Sequence, residues 1–393
     1  MTQLSQSPTA PDFVQNPYRF YDRARRLGDI CYWQEYEMPI ALSYRAVTSL
    51  LKDRRFGREI PAEMRAPPAA ELAPFYAVEA HSMLELEPPR HSRLRGLVVR
   101  AFTSRRIKQL TPQVEQLCHE LIDSLPRGPF DLIEKFSNKL PVIVIARLLG
   151  VPDTMADQLL EWSSAMVAMY QARRDLGVET RAVRATQEFV AFVHDYVEAR
   201  CNQPKDDLIT QLISAKQEGE KLTIDELIST CILLLNAGHE ATVHTLGNGV
   251  KTLLETETPV AALAPGNIAN TVEEILRFDP PLHLFTRYAY KDISAFEYDF
   301  KRGDQVGLML AAANRDPTIW PTPNRFNPTR YKRINAAFGG GIHFCVGAAL
   351  ARLELQTALP ILFQRCPDLH LVAPPYYANL YHFHGLNKLC VNR

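Results

Sequence analysis

The 393-residue chain has no surplus of either charge. Lysine plus arginine and aspartate plus glutamate both number 44, so the formal net charge is zero. Nucleic-acid binding depends on clustered positive charge, and the balance gives no such footprint; no nucleic-acid partner is expected. Long apolar runs are also lacking. None reaches the ~18 consecutive residues of a membrane span, and the polar segment from Met1 to Phe13 carries no signal-peptide pattern. No membrane association is expected. The seven cysteines, at 31, 118, 201, 231, 345, 366 and 390, are scattered and odd in number. That argues against a disulfide framework and for reduced thiols, hence a cytoplasmic location. Repeats, low-complexity tracts and Gly/Ser linkers are absent too. Length alone would admit two or three domains, yet nothing separates them, and one domain over 1–393 is expected.

What is present is an ordinary globular composition, 46% hydrophobic and 22% charged. Strand-like pieces at Ile30 to Trp33 and Pro39 to Ser43 precede a helical stretch from Tyr44 to Lys52. Residues 57 to 80, rich in Pro, Ala and Glu, read as a loop with at most one short helix. Helical periodicity dominates from about 89 to 280, with breaks near Gly128, Pro152 and Pro204. Thr223 and Glu226 have capping-box spacing and open a helix of roughly 30 residues, ~45 Å long. Its apolar run Ile232 to Leu235 predicts a buried middle. Short strands and turns follow Pro280, with β-rich parts near 29–45, 286–310 and the C-terminus. A last helix spans Ala348 to Arg365, and Pro360 should interrupt it. The fold class expected is mainly α with a smaller β-rich portion.

The segment Phe338-Gly-Gly-Gly-Ile-His-Phe-Cys-Val-Gly347 carries the most chemical information. Three glycines let the backbone come close to a flat ligand. Cys345 then precedes the start of a helix, where the positive helix end and backbone N–H groups favour a thiolate. The plain alternative is a Gly-rich turn holding an inert buried cysteine.

This segment resembles the haem loop of the cytochrome P-450 family, Phe-x-x-Gly-x-x-x-Cys-x-Gly, through Phe338, Gly341, Cys345 and Gly347. The resemblance implies a P-450 fold with a long central helix over a haem b (iron protoporphyrin IX). Cys345 would be the metal ligand, its electron donation favouring O–O cleavage, with Phe338, Gly339 and Ala237 against the cofactor. Glu274-Ile-Leu-Arg277 matches the family's Glu-x-x-Arg, and Pro323-Asn-Arg325-Phe326 its Pro-x-Arg-Phe. By resemblance Glu274, Arg277 and Arg325 form a buried structural network; alone, a Glu and Arg three apart are usually an exposed pair. Glu87-Pro-Pro-Arg-His91 through Arg95 looks like the family's Asp-Pro-Pro-x-His-x-x-x-Arg. His91 and Arg95 share a helical face and would hold a haem propionate with Arg287 and His343, although an ordinary basic helix has the same composition.

Ala237-Gly-His-Glu-Ala-Thr242 resembles the oxygen-activation segment. Gly238 costs a helix ~1 kcal/mol; Gly238 with Thr242 and Ala237 with Ala241, each pair four apart, make a narrow stripe of small residues that suits either a ligand or close helix packing. Glu240 matches the family's acid. The place of the usual threonine is Ala241, so the proton route is open: ordered water bridged to Thr242 and Glu240, or a hydroxyl of the substrate. The resemblance thus implies a monooxygenase inserting one oxygen atom of O2 into a small or medium organic substrate. Electrons would come from NAD(P)H through a separate ferredoxin or flavodoxin and its reductase, since no flavin or iron–sulfur motif is present. Arg93, Arg100, Arg105 and Arg352 are candidate docking cations. Position relative to the motifs suggests a pocket from 62–84, Met166, Met169, Tyr170, Leu233, Asn236, Ala237, Leu282, His283, Leu284, Phe285, His382 and Phe383, with Asn236, His283 and His382 as polar anchors.

Other classes fit less well. His239-Glu240 with His244 suggests a zinc peptidase, but histidines five apart on a helix are turned ~140° from each other. A Cys345–His343 nucleophile pair has no third orienting residue. A haem protein that senses a ligand without oxygenating, or a peroxide-driven enzyme, would share the haem loop; Glu240 favours the dioxygen route.

Overall fold

In the computed structural model, which describes residues 2–171, 174–215, 221–331 and 333–393, the expected helical stretch does form a helical body. It crosses 172–173 and 216–220, which lie outside the described residues. The principal helices are α1 (Arg90–Ala101), α2 (Thr111–Asp123), α3 (Lys139–Leu149), α4 (Ala156–Val167), α5 (Leu176–Asn202), α6 (Ile224–Glu255), α7 (Ile268–Phe278) and α8 (Ala348–Arg365). Their apolar faces share one core running from Leu94 in α1 to Leu362 in α8.

The 32 residues of α6 begin with the capping box. Thr223 Oγ1 accepts from the Glu226 N–H at 3.2 Å, and Glu226 Oε2 accepts from the Thr223 N–H at 3.0 Å. This satisfies two end donors that burial would otherwise strand. The helix packs against α3, α4, α5, α7 and α8, and so is buried around most of its girth. Ala237 in its middle is nevertheless exposed, between buried Leu235 and His239. A small residue open to water there means that the helix borders an internal cavity.

The β portion is a six-stranded sheet of β1 (Gln3–Leu4), β2 (Ile30–Trp33), β3 (Met38–Ala41), β4 (Phe56–Gly57), β5 (Leu284–Ala289) and β6 (Gln305–Met309), in the order β1-β2-β3-β6-β5-β4. Antiparallel β5 and β6 pair Leu284 with Met309 and Arg287 with Val306. Period-two alternation then sends Leu284 and Phe285 to opposite faces. One face buries Phe13, Tyr21, Trp33 and Leu284; the other packs Phe285 near Leu51 and Leu308.

Residues 57 to 80 hold the one short helix expected there, Ala73–Glu79, with two 3-10 turns, Ala62–Met64 and Ala70–Leu72. One expectation needs correction. Pro360 does not interrupt α8, which runs unbroken to Arg365. Proline removes one N–H, but its fixed φ is helical, and packing of Ala358, Leu359 and Leu362 holds the helix through the missing bond. No described helix is long and apolar enough to cross a membrane.

Candidate active site

The loop ahead of α8 is shaped by two glycines in the left-handed region. Gly341 has φ +67°, and a Cβ there would lie 2.4 Å from the Leu51 carbonyl oxygen; Gly339 has φ +68° beside the Phe285 ring. The Cys345 N–H donates to the Phe338 carbonyl at 3.0 Å and closes the loop. The Cys345 side chain is reachable by water yet densely surrounded by protein. Those two facts agree if the sulfur faces an internal cavity and not the outer surface. Burial pushes its thiol up, opposed by the N–H groups of Gly347 and Ala348 and the guanidinium groups of Arg95 and Arg352. α6 and α8 pack on each other; Ala237 on α6 and Cys345 in the loop that leads into α8 are both exposed.

Basic side chains gather beside the loop. His91 on α1 is 1% exposed, and neither ring nitrogen has a hydrogen-bond partner. Burial, with the nearby His343 and Arg95 charges, pushes its pKa down to about 4. Its ring lies 4.3 Å from that of His343. His343 Nε2 meets Glu87 Oε1 at 2.8 Å, and the same oxygen accepts from the Arg58 N–H. Arg287 on β5 is 2% exposed and, among the described residues, donates only to the neighbouring Thr286 carbonyl. Burial and the repulsion of Arg58 pull its pKa down to about 10. Arg95 donates to the Phe344 carbonyl at 2.5 Å. An orphaned imidazole and a buried guanidinium without a carboxylate partner form a cradle for an anion. Arg58 joins them from a segment without any motif.

On α6, Glu240 is half-buried. Its Oε1 lies 3.6 Å from His244 Nε2 and its Oε2 3.6 Å from His239 Nε2. Burial raises the carboxyl pKa, but the imidazoles outweigh it and leave the group below its ordinary value. His239 Nδ1 donates to the Leu235 carbonyl at 2.7 Å, and burial keeps the ring neutral, so His244 carries most of that effect. The histidines flank different oxygens of Glu240, and the described residues hold no convergent metal-ligand group here; the zinc reading falls. The stripe of small residues divides. Of the two readings of Gly238, helix packing holds: a Cβ there would lie 2.8 Å from Ile145 of α3. Thr242 is only 5% exposed and makes no hydrogen bond to Glu240 among the described residues. Ala237 is the exposed position of the stripe, with Ala241 half-buried.

The structural network is real, but its third cation is Arg330. Arg277, 1% exposed, donates to both Glu274 oxygens at 2.7 and 2.8 Å, and Arg330 Nε donates to Glu274 Oε1 at 3.2 Å. Arg325 is exposed and contributes only its backbone carbonyl. Two arginines in one loop cannot be told apart by spacing. Arg352 is likewise engaged, paired with Glu273 and lying 4.5 Å over the Phe338 ring. Arg93 pairs with Glu226. Arg100 and Arg105 remain at the surface.

The expected pocket residues divide. Leu233, Asn236 and Ala237 line α6, with the Asn236 amide on Met166 Sδ at 3.7 Å. Met166 and Met169 are buried core residues, 1% and 3% exposed. Tyr170 donates to Glu79 Oε2 at 2.8 Å, a carboxylate the sequence did not single out. Leu282 bridges to Phe383, whose ring contacts both His382 and His244. His283 and Leu284 do not reach this region. His283 is fully buried on the other side of the sheet, bonded to the Tyr21 hydroxyl at 2.8 Å. It sits with Asp279 and His384 in a trio of metal-ligand type. Tyr18 and Tyr377 hydroxyls already donate to the two Asp279 oxygens, and Arg315 lies over the Tyr18 ring, so the trio is a closed polar core.

An open sulfur at a helix N-terminus, a long helix with one small open position, and an anion cradle together define a thiolate site for a flat, acidic cofactor. The comparisons with known proteins give that class its family. Residues 268–370 match the family model described as Cytochrome P-450. The biotin biosynthesis cytochrome P-450 of Bacillus subtilis is 33% identical over 99% of this chain and 99% of its own length. The 6-deoxyerythronolide B hydroxylase of Saccharopolyspora erythraea is 39% identical over 74% of this chain and 72% of its own. A crystal structure of a P-450 in complex with hexadec-9Z-enoic acid ligated acyl carrier protein superposes with TM-score 0.91 at 34% identity, covering 97% and 99% of the two chains. The chain belongs to the cytochrome P-450 family. It is a haem-binding, oxygen-incorporating oxidoreductase that uses O2, an organic substrate and redox partners. The orphaned His91 nitrogens and the uncompensated Arg287 fit the carboxylates of such a haem.

Proposed function

We propose that residues 1–393 form one catalytic domain in which Cys345 ligates the haem iron and His91, Arg95, Arg287 and His343 hold the haem carboxylates. The observation that carries this reading is the exposed Cys345 and the exposed Ala237, beside a basic cradle in which both buried His91 ring nitrogens have no protein partner. The haem, when bound, supplies the site of dioxygen activation. This chain's residues do the rest. Arg95 and Arg352, with the N–H groups of Gly347 and Ala348, favour the thiolate. Ala237 and Ala241, small residues on α6, would leave room for the cofactor and its substrate, and Glu240 would hold an exchangeable proton on the same helix.

Electrons come from NAD(P)H through a ferredoxin or flavodoxin that docks on the Arg100 and Arg105 surface, in the cytoplasm. The substrate is a flexible apolar acyl or polyketide-type molecule. Support comes from the acyl ligand of the neighbour described above and from a myxobacterial P-450 solved in complex with myristic acid, 34% identical over 98% of both chains. Leu233, Leu282 and Phe383 suit such a chain.

The test is the absorption spectrum of purified, reduced protein exposed to carbon monoxide. A far red-shifted Soret band, lost in Cys345→Ala, is expected, followed by a spin-state shift on adding myristic acid. Haem with an unshifted band would mean another ligand and favour the sensor reading. A protein that takes up no haem after reconstitution would overturn the assignment.

A further inference from the structure

Ala241 has no hydroxyl, and Thr242 does not provide one to Glu240. α6 offers something else. At 100° per residue, Glu240, His244, Asn248, Lys251 and Glu255 lie within about 80° of one another. They form a polar stripe on a helix that is otherwise buried. It starts next to Ala241 and ends at the Lys251–Glu255 ion pair, 2.9 Å apart, where the Glu255 side chain is 41% exposed.

Along the stripe, buried polar atoms lack partners. His244 Nε2, 3.6 Å from Glu240 Oε1, has none, and neither does Asn248 Oδ1. The Asn248 amide donates to the carbonyls of His384 at 2.8 Å and Asp279 at 3.3 Å, so its oxygen points away from both. On the other side of Glu240, His239 Nε2 is also unpartnered at 3.6 Å. Its Nδ1 proton is committed to Leu235, so a neutral His239 turns a lone pair toward the carboxylate. Two such nitrogens, one on each oxygen of the Glu240 carboxyl, call for a shared proton or bridging water. Room for the His244 ring comes from Gly385, where a Cβ would lie 1.9 Å from Nδ1. The titratable groups that act on the pair are His239 on α6 and His384 in the Gly385 turn.

We propose that Glu240 and His244 form a proton relay that replaces the missing hydroxyl at position 241, fed from the Lys251–Glu255 end by water bound along the stripe. The proposal rests on the monooxygenase reading. A hydronium ion at the Lys251–Glu255 end gives a proton to His244 and is left as water; His244 passes a proton to the Glu240 carboxylate, and the resulting carboxyl passes it to a water beside Ala237, which becomes the hydronium ion that the reaction consumes. His244 and Glu240 each end as they began, and no electron moves. His244 acts through Glu240 and is a positioning residue.

The test uses holoenzyme of the wild type, Glu240→Gln, His244→Phe and His244→Gln. Infrared difference spectra across pH follow the protonated-carboxyl band of Glu240, assigned by its loss in Glu240→Gln. A second readout is hydrogen peroxide released per electron supplied by a surrogate ferredoxin pair with myristic acid present, in light and heavy water. In His244→Phe the band should persist to higher pH, because the imidazole 3.6 Å from Glu240 Oε1 that favours the carboxylate is gone. Productive use of electrons should fall by roughly tenfold or more, the scale of one lost acid–base group, with the spin-state shift retained. His244→Gln, which still holds water, should recover part of it. A carboxyl titration and peroxide yield unchanged in both His244 variants would overturn the relay. If the wild type shows the thiolate band but consumes no electrons, the monooxygenase reading fails, and the infrared titration alone decides the relay.

Discussion

Truncating Arg330 should destabilise the protein by about 2–4 kcal/mol, while truncating Arg325 should change little. The Arg330 side chain is 10% exposed and donates through Nε to Glu274. It also donates to the carbonyls of Pro321, Thr322 and Arg325, tying the loop before the haem segment to α7. A charge-assisted bond to a buried carboxylate contributes about 1.5–3 kcal/mol, and the three partly exposed carbonyl bonds, which water replaces on truncation, together add roughly 0.5–1 kcal/mol. Glu274 would keep both bonds from Arg277 and the Asn327 N–H at 2.8 Å, so the loss stays below the ~3–5 kcal/mol of an orphaned buried charge. Arg325 supplies only a carbonyl, which any residue provides, and its exposed side chain predicts a change within ~0.5 kcal/mol. Arg330→Ala, Arg325→Ala and Arg277→Ala would be compared by denaturant unfolding of the holoenzyme, following far-UV dichroism and the Soret band. Arg277→Ala should be the most damaging. An Arg325→Ala loss equal to that of Arg330→Ala would refute the assignment of the third cation.

Two further outcomes follow from buried charges. Arg287→Met should stabilise the apoprotein, by removing a buried guanidinium with no carboxylate partner, and weaken haem retention, by removing a cation for its carboxylates; apoprotein unfolding and haem transfer to an acceptor protein measure the two signs. Glu79, buried near Glu85, has its carboxyl pushed from 4.5 to about 7. The folded state therefore holds a proton that the unfolded chain has already released. Stability present below pH 4.5 is lost as pH rises to about 7, by up to roughly 3 kcal/mol. Glu79→Gln should abolish that loss, so its advantage over the wild type should grow between pH 5 and pH 8 in denaturant titrations and stay flat if the shift is absent.

Local spacing carried much of the fold and of the candidate site. The capping box of Thr223 and Glu226, the strand Ile30–Trp33 and the helix Ala348–Arg365 all depend on residues within a few positions of one another. The haem loop is equally local: Gly341 is needed because the Leu51 carbonyl leaves no room for a Cβ. What spacing could not supply was the partner. Gly238 reads the same whether it faces a ligand or Ile145, and Arg325 and Arg330 differ only in which one reaches Glu274. His283 and Leu284 sit beside other pocket candidates in sequence, but the pairing of Leu284 with Met309 turns Leu284 to the aromatic face, and His283, just ahead of β5, is bonded to the Tyr21 hydroxyl on that side.

His244 shows the limit in its sharpest form. Its position four residues after Glu240 places both on one face of α6, and that was visible from the start, though only as a poor zinc pattern. Helical spacing fixes a face, whereas function depends on what that face meets. Here it meets the turn at Phe383 to Gly385, where one glycine admits the imidazole and no donor or acceptor completes it. An incomplete buried group persists in a stable fold only where water or a mobile proton serves it. That condition, set by chain segments far apart in sequence, is what turns an unremarkable Glu and His into candidates for proton transfer.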